Sequence, residues 1–195
     1  GRMELWHGSQ KIIEAPQLGL GKIHNDYGQG FYCTESLDLA KEWACSGDAD
    51  GFANRYELKM DDLMVLDLQA PQFSVLHWIA LLVEHRSFRK DTAVAVGACE
   101  YLHNHFLPDA ETYDLIRGWR ADDSYFSYAR AFVNNTITVE QLSRAMKLGN
   151  LGEQIVLKSE CAFKSICFTG FERAPLGLYG PLAKERDAAA RAQYQ

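Results

Sequence analysis

The stretch LWHGS, residues 5–9, places a polar and a small residue directly after a short run of strand-forming residues. Residues 3–6 favour a first strand, so His7 and Gly8 lie at its end. At that point an imidazole and a backbone without a side chain can both face a ligand. The sequence therefore predicts one border of a small-molecule site at the end of this strand.

The stretch GQGFYCT, residues 28–34, combines a glycine turn with strand alternation. Residues 31–34 follow the turn and are predicted to form a second strand. The side chains of a strand alternate between its faces, so Tyr32 and Thr34 are expected on the same face. Polar and aromatic groups of the two stretches are thus predicted to converge.

These two stretches, followed by SLDLAKEWA at residues 36–44, resemble a known signature. They are similar to the nicotinamide pocket of ADP-ribosyltransferases of the His-Tyr-Glu class, to which poly-ADP-ribose polymerases and diphtheria toxin belong. The chain also resembles an uncharacterised bacterial family of that superfamily, which shares the segments YDLIRGWRADD at 113–123 and GEQIVLKS at 152–159. The resemblance covers most of residues 3–171. It implies an NAD-dependent transferase that needs no metal.

The resemblance assigns roles to three residues of the first stretch. In the similar enzymes, the histidine bonds the adenosine-side ribose and the glycine backbone holds the nicotinamide amide. Those roles correspond to His7 and Gly8, with Ser9 adjacent. A histidine at a strand end is also common as an ordinary core or surface residue, and the pairing with the second stretch favours the functional interpretation.

The resemblance further implies that two aromatic rings clamp the nicotinamide. Tyr32 matches the tyrosine of the similar enzymes, and Trp43 lies at the spacing of their second ring. A Trp in place of Tyr keeps a flat π surface for stacking. Thr34 is included among the predicted cofactor contacts. Alternatively, both rings are simply part of the core.

Loss of nicotinamide leaves positive charge on the ribose, so a carboxylate is expected near that sugar. The resemblance implies that this carboxylate lies at the start of a late strand. Glu153 matches the E-x-I-V pattern of the polymerases and is predicted to share a face with Ile155 and Leu157. Other transferases place their glutamate directly before the apolar run, which would put Gln154 in that position. Both residues are therefore candidates for the catalytic position.

Composition limits the class of protein. With 195 residues and 47% hydrophobic content, a single domain over 1–195 is predicted. The net charge of −6 argues against a sequence-independent nucleic-acid binder, whereas an anionic dinucleotide in a small pocket remains possible. Five cysteines without a CxxC pair suggest neither disulfides nor a thiolate zinc site. No membrane helix is predicted, which fits a cytoplasmic protein or an effector delivered into a target cell.

The secondary-structure pattern predicts an α+β fold. Residues 72–108 are predicted to form a helical insertion, and residues 175–195 a C-terminal tail with a solvated helix. The predicted strands are 3–6, 31–34, 52–60, 63–68, 113–118, 153–158 and 163–171, of which 52–60 and 63–68 form a strand pair or one bent strand. Ser36 is a predicted helix N-cap, and Thr138 is another, with Gln141 completing a capping box. The resemblance implies a split β-sandwich of two small, largely antiparallel sheets, with the dinucleotide between them.

Two further groups of residues are candidates for chemistry. Asp122 and Asp123 are interpreted as helix caps, or as groups that orient an acceptor. His103 and His105 lack a nearby third ligand, so no metal site is predicted. The expected function is transfer of ADP-ribose from NAD to an unidentified acceptor, which could be a protein, a nucleic acid or a small molecule. The alternatives are a catalytically silent NAD- or ADP-ribose-binding module and an interaction domain without a ligand.

Overall fold

The computed structural model describes residues 1–86, 90–121, 129–149 and 152–194. The strands are β1 (Arg2–Ser9), β2 (Phe31–Cys33), β3 (Gly51–Lys59), β4 (Val65–Asp67), β5 (Leu115–Trp119), β6 (Glu153–Leu157) and β7 (Ile166–Ala174). The helices are α1 (Leu37–Ala44), α2 (Val75–His85), α3 (Ala93–His105), α4 (Val139–Gly149), α5 (Glu160–Ser165) and α6 (Leu176–Tyr194). Residues 129–133 are also helical, and residues 110–112 form a 3₁₀ turn. The α+β class is confirmed.

The strands form two small sheets. The three-stranded sheet has the order β1-β3-β7 and is antiparallel throughout, and the four-stranded sheet has the order β2-β6-β5-β4, with only β4 and β5 parallel. The sheets meet where Trp6 and Thr34 exchange backbone hydrogen bonds of 2.8 and 2.9 Å. Beyond this bridge, β1 and β2 separate, which leaves a gap between the ends of the two sheets.

The two sheets share an apolar core. One face of the four-stranded sheet contributes side chains from β2, β5 and β6, and the three-stranded sheet contributes side chains from β1 and β3. The buried members of this cluster are Leu5, Cys33, Leu58, Leu115, Ile155, Leu157 and Ala162. Alternation along β6 is what turns Ile155 and Leu157 to this side.

The other face of the four-stranded sheet is covered by helices. Val156 and Ile116 pack there against α2, whose Trp78 is 2% exposed. The Trp78 indole N–H and the Trp119 carbonyl both bond the hydroxyl of Tyr27, a residue of the loop between β1 and β2. The predicted helical insertion at 72–108 thus contains α2 and α3 and forms the second layer of the core.

Two local helix starts agree with the sequence signals. Ser36 caps α1, accepting from the N–H of Leu39 at 3.2 Å. Thr138 and Gln141 form the predicted capping box at the start of α4, with reciprocal bonds of 2.8 and 3.1 Å. Each helix therefore begins where its capping residue satisfies an otherwise unpaired backbone N–H.

Two predicted strand features are wrong. Residues 163–171 are not one strand, because Ser159 accepts from the N–H of Ala162 and starts α5, so β7 begins only at Ile166. The predicted segments 52–60 and 63–68 are neither a pair nor one bent strand, since β3 and β4 belong to different sheets. The turn between them contains Asp62 with a φ of 66°.

The C-terminal helix α6 packs on α1, which the prediction of a solvated tail did not include. Arg186 donates two hydrogen bonds to the buried carboxylate of Glu42, at 2.8 and 2.9 Å. Ala190 is fully buried. Among the described residues, no helix is long and apolar enough to cross a membrane.

Candidate functional site

A pocket of about 700 Å³ lies where β1 and β2 separate. This volume falls within the range of small-molecule and cofactor sites. Its walls come from the end of β1, the loop between β1 and β2, β2 itself, α1, the end of α2 and the start of β6. The lining residues are His7, Gly8, Ser9, Ile13, Ala15, Pro16, Gln17, Leu20, Gly21, Lys22, Asn25, Asp26, Gly30, Phe31, Tyr32, Trp43, Ser46, Arg86, Arg120, Ala121 and Gln154.

His7 is held against the strand β2. Its Nδ1 lies 2.6 Å from the carbonyl oxygen of Tyr32, and its ring stacks on Phe31 with centroids 4.2 Å apart. A carbonyl only accepts, so Nδ1 carries the hydrogen and Nε2 of the neutral ring is an acceptor. Burial lowers the pKa of His7, which favours this neutral form. The side chain can therefore accept a hydrogen bond from a ligand hydroxyl.

Gly8 offers its backbone to the pocket. The N–H and C=O of Trp6 point away from β3, toward Thr34, and backbone groups two residues apart in a strand point to the same side. Those of Gly8 consequently point into the gap beside β2, where no described residue bonds them. A Cβ on Gly8 would collide with the backbone of Ala40 in α1. The pocket wall thus presents one donor and one acceptor side by side.

Tyr32 supplies a fixed aromatic wall. Its hydroxyl donates to the carbonyl of Gly28 at 2.6 Å and accepts from the N–H of Tyr27 at 2.9 Å. Burial raises the pKa of the phenol, which therefore stays protonated. With both hydrogen-bonding roles of the hydroxyl used, Tyr32 can offer a ligand its ring but no proton.

Trp43 lines the pocket from α1. The guanidinium of Arg120 lies 5.5 Å from the centre of its ring, within the range of a cation–π contact. The indole Nε1 is buried and has no acceptor among the described residues. Ser9 also lines the pocket, and its hydroxyl accepts from the N–H of Lys11 at 3.1 Å.

Thr34 is a predicted cofactor contact that does not line the pocket. It is 2% exposed, and its hydroxyl accepts from the N–H of Ser36 at 3.1 Å, just before α1. Strand β2 ends at Cys33, and the backbone of Thr34 turns to bond Trp6. Its position therefore serves the junction of the two sheets.

Strand β6 sends the two candidate residues at its start in opposite directions. Glu153 shares a face with Ile155, as predicted, and its carboxylate lies 3.2 Å from Arg117, which also contacts Glu35 at 2.6 Å. Glu153 is not among the pocket-lining residues, whereas Gln154 is, and Gln154 is 6% exposed. The pocket therefore has an amide where the resemblance implies a carboxylate.

Asp26 is a buried carboxylate in the same wall, and no sequence argument had selected it. It accepts from Arg86 at 2.9 Å, from the N–H of Ala121 at 3.1 Å and from the amide of Gln154 at 3.0 Å. Burial raises the pKa of Asp26, and these donors oppose that shift. The one sequence signal that could have selected Asp26 is its place just before the glycine turn at Gly28. The residues that bond Asp26 lie 60 to 128 residues away in the sequence.

Among the described residues that line this pocket, cationic side chains outnumber acids. Lys22, Arg86 and Arg120 are the cations of that described lining, and Asp26 is its one acid. This balance differs from the net charge of −6 of the whole chain and suits an anionic ligand such as a dinucleotide. Within the described part of the chain, no cluster of three His, Cys, Asp or Glu side chains could hold a metal ion.

Comparison with protein families finds a match over most of the chain. Residues 3–168 match the family described as protein of unknown function (DUF3990). The chain belongs to this family. Comparison with curated proteins and with solved structures finds no match. The DUF3990 match contains the whole pocket lining from His7 to Gln154, whereas α6 lies beyond it.

The remaining candidate residues lie away from the pocket or outside the described residues. His103 pairs with Glu84 at 3.1 Å, and the ring of His105 lies 4.3 Å from that of Tyr101. Both histidines belong to the surface of α3. Asp122 and Asp123 lie outside the described residues.

Proposed function

We propose that this chain binds NAD in the pocket between β1 and β2 and transfers ADP-ribose from it to an acceptor. The observation that carries this proposal is the convergence of the Gly8 backbone groups, which no described residue bonds, with the rings of Tyr32 and Trp43. A primary carboxamide needs one acceptor and one donor in the same plane, which matches the two groups of Gly8. The flat walls suit the attached pyridine ring.

The other residues of the pocket fit the rest of the dinucleotide. The Nε2 of His7 is an acceptor for a ribose hydroxyl, and Lys22 and Arg120 can attract the diphosphate. Two small sheets with a shared core and inserted helices are also what the ADP-ribosyltransferase-like split β-sandwich requires. We propose that fold as part of the same assignment.

The proposed reaction breaks the bond between the ribose anomeric carbon and the pyridinium nitrogen. Nicotinamide leaves as a neutral molecule with the bonding electron pair, and positive charge develops on the sugar. A nucleophilic atom of the acceptor then bonds the anomeric carbon and releases its proton. Gln154 is the β6 residue that faces this pocket, and its carbonyl oxygen would direct partial negative charge toward the ribose.

The amide of Gln154 also favours a second function. An amide carries no net charge, so it stabilises a sugar cation less than a carboxylate does. Glu153, the nearest acid along β6, is paired with Arg117 outside the pocket. A module that binds NAD or ADP-ribose without transferring it is therefore the alternative.

Two measurements test binding and chemistry separately. NAD is expected to raise the melting temperature, because a ligand that binds only the folded state stabilises it in proportion to its occupancy. His7→Ala should lose most of this rise, whereas His103→Ala, on the exposed surface of α3, should keep it. Equal rises in both variants would contradict binding in this pocket. Release of nicotinamide with a lysate as acceptor source identifies the transferase, and binding without release identifies the silent module.

A further inference from the structure

Both carboxylate oxygens of Asp26 accept hydrogen bonds. Oδ1 accepts from Arg86, and Oδ2 accepts from the N–H of Ala121 and from Nε2 of Gln154. A protonated carboxyl would carry an O–H with no acceptor in this set. The arrangement therefore requires the ionised carboxylate, whose charge Arg86 balances at 2.9 Å.

This carboxylate determines how the amide of Gln154 is oriented. An ionised carboxylate only accepts hydrogen bonds, so the NH₂ end of the amide must face Asp26. Turning the amide over would bring two oxygens together at about the present separation of 3.0 Å. The carbonyl oxygen Oε1 is consequently the end that remains for a pocket ligand.

We propose that Asp26 is a positioning residue that locks Gln154 with its Oε1 toward the ligand, where it accepts a hydrogen bond from a ribose hydroxyl. This inference rests on the proposed function for the identity of the ligand. The pair divides between two residues what one glutamate supplies in the transferases that the chain resembles. Gln154 provides the acceptor oxygen, and Asp26 behind it provides the negative charge that polarises the amide.

The arrangement also determines which residue position 154 accepts. A glutamate there would bring a second carboxylate within about 3 Å of Asp26, and two buried like charges at that distance cannot both ionise freely. Gln154→Glu is therefore expected to lower the melting temperature at neutral pH. The loss should be smaller in mild acid, where the two carboxylates share a proton.

Asp26→Asn is expected to relieve this conflict. The Asn amide can donate to a glutamate at 154, so the double variant Asp26→Asn/Gln154→Glu keeps one acid and one amide in exchanged positions. Its melting temperature should exceed that of Gln154→Glu alone, a non-additivity expected of residues in contact. Additive effects of the two changes would overturn the proposed lock.

The rise in melting temperature on adding NAD distinguishes a positioning role of Asp26 from a purely structural one. Asp26→Asn alone allows the Gln154 amide to turn over, so the rise in melting temperature with NAD should fall although the variant remains folded. The double variant should recover that rise, because a carboxylate at 154 is an acceptor in either orientation. An undiminished rise in Asp26→Asn would overturn the positioning role.

Glu42→Gln is the matched control. Glu42 is 4% exposed and is bonded by Arg186, much as Asp26 is bonded by Arg86, but it lies outside the pocket. This variant should lower the melting temperature and leave the NAD response unchanged. If the wild-type chain shows no response to NAD, ADP-ribose or nicotinamide, the proposed function fails. The contact between Asp26 and Gln154 is then tested by the melting temperatures of the single and double variants alone. Additive effects of the two changes would overturn the proposed lock.

Discussion

The two faces of the four-stranded sheet differ in what they bury. The face toward the three-stranded sheet is closed by aliphatic side chains and ends at Glu153, which lies in an ion network with Arg117 and Glu35. The face toward the helices ends at Gln154, which lies in the pocket wall beside buried Asp26. Adjacent residues of one strand thus have different solvation and different partners.

Strand alternation thus places neighbouring side chains of β6 in different chemical environments. Glu153, at the end of the first face, is partly exposed, so water and mobile ions screen its charge. Gln154, in the pocket wall, is buried and is oriented by the fixed acceptor Asp26, and electrostatic effects are stronger in such a low-dielectric environment. The same carboxylate would therefore act differently if it were moved by one residue along β6.

The largest effect is expected when the neighbouring residues Gln154 and Glu153 are each substituted and the rates are compared. Gln154→Ala should lower the rate of nicotinamide release by about 10² to 10³, or roughly 3–4 kcal/mol of barrier, the usual loss for one preorganised electrostatic contact. Glu153→Gln should change the rate by no more than a few fold, since its carboxylate contacts Arg117 outside the pocket. The reverse ranking in a nicotinamide-release assay would return the catalytic role to Glu153.

The second prediction tests packing on the helical face. Gly118 lies opposite Gln154 in β5, and a Cβ there would collide with the ring and hydroxyl of Tyr27. Gly118→Ala should therefore cost about 1–3 kcal/mol of unfolding free energy in urea titrations, as overpacking usually does. Gly97→Ala is the control, because the space around Gly97 in α3 is open, and it should gain about 0.5–1 kcal/mol. A neutral Gly118→Ala would contradict this packing of Tyr27.

The third prediction concerns pH and His7. Burial lowers the folded-state pKa of His7 below the usual value of 6.5. Between those two values the unfolded chain binds a proton that the folded chain does not, so stability falls as pH falls, by at most about 1.4 kcal/mol per pH unit. His7→Asn keeps a side-chain N–H donor for the Tyr32 carbonyl but cannot titrate.

The measurement is the unfolding free energy of both chains between neutral pH and mild acid. His85 also has a lowered pKa, caused by burial and by Lys158, so the variant should lose only part of the slope. Asp26, whose pKa is raised, contributes with the opposite sign. The difference between the two curves isolates His7, and parallel curves would show that His7 titrates normally.

Local signals predicted much of this fold. Ser36 and Thr138 identified helix starts because capping depends on residues close in sequence. Alternation likewise predicted that Glu153 shares a face with Ile155. It did not indicate which face borders the pocket, because that depends on how the two sheets and the helices pack.

The parts of the site that sequence did not predict depend on distant partners. Asp26 and Arg86 are 60 residues apart, and no local pattern links an acid before a glycine turn to the end of a helix. Helices α1 and α6 are likewise joined by the contact between Glu42 and Arg186, which are 144 residues apart. Such pairs are selected by tertiary packing, which a single sequence does not display.

The smallest effect is expected from a change in the partly exposed ion network of Arg117, Glu153 and Glu35. Arg117→Gln removes the cation between Glu153 and Glu35, all of them partly exposed, and should cost at most about 1 kcal/mol of unfolding free energy. The cost should shrink further at high salt, because the Debye length falls from about 10 Å at 0.1 M to about 3 Å at 1 M. The response to NAD should not change, since neither Arg117 nor Glu153 lines the pocket. A lost NAD response with unchanged stability would couple this network to the ligand, and the two faces of the sheet would then form a single site.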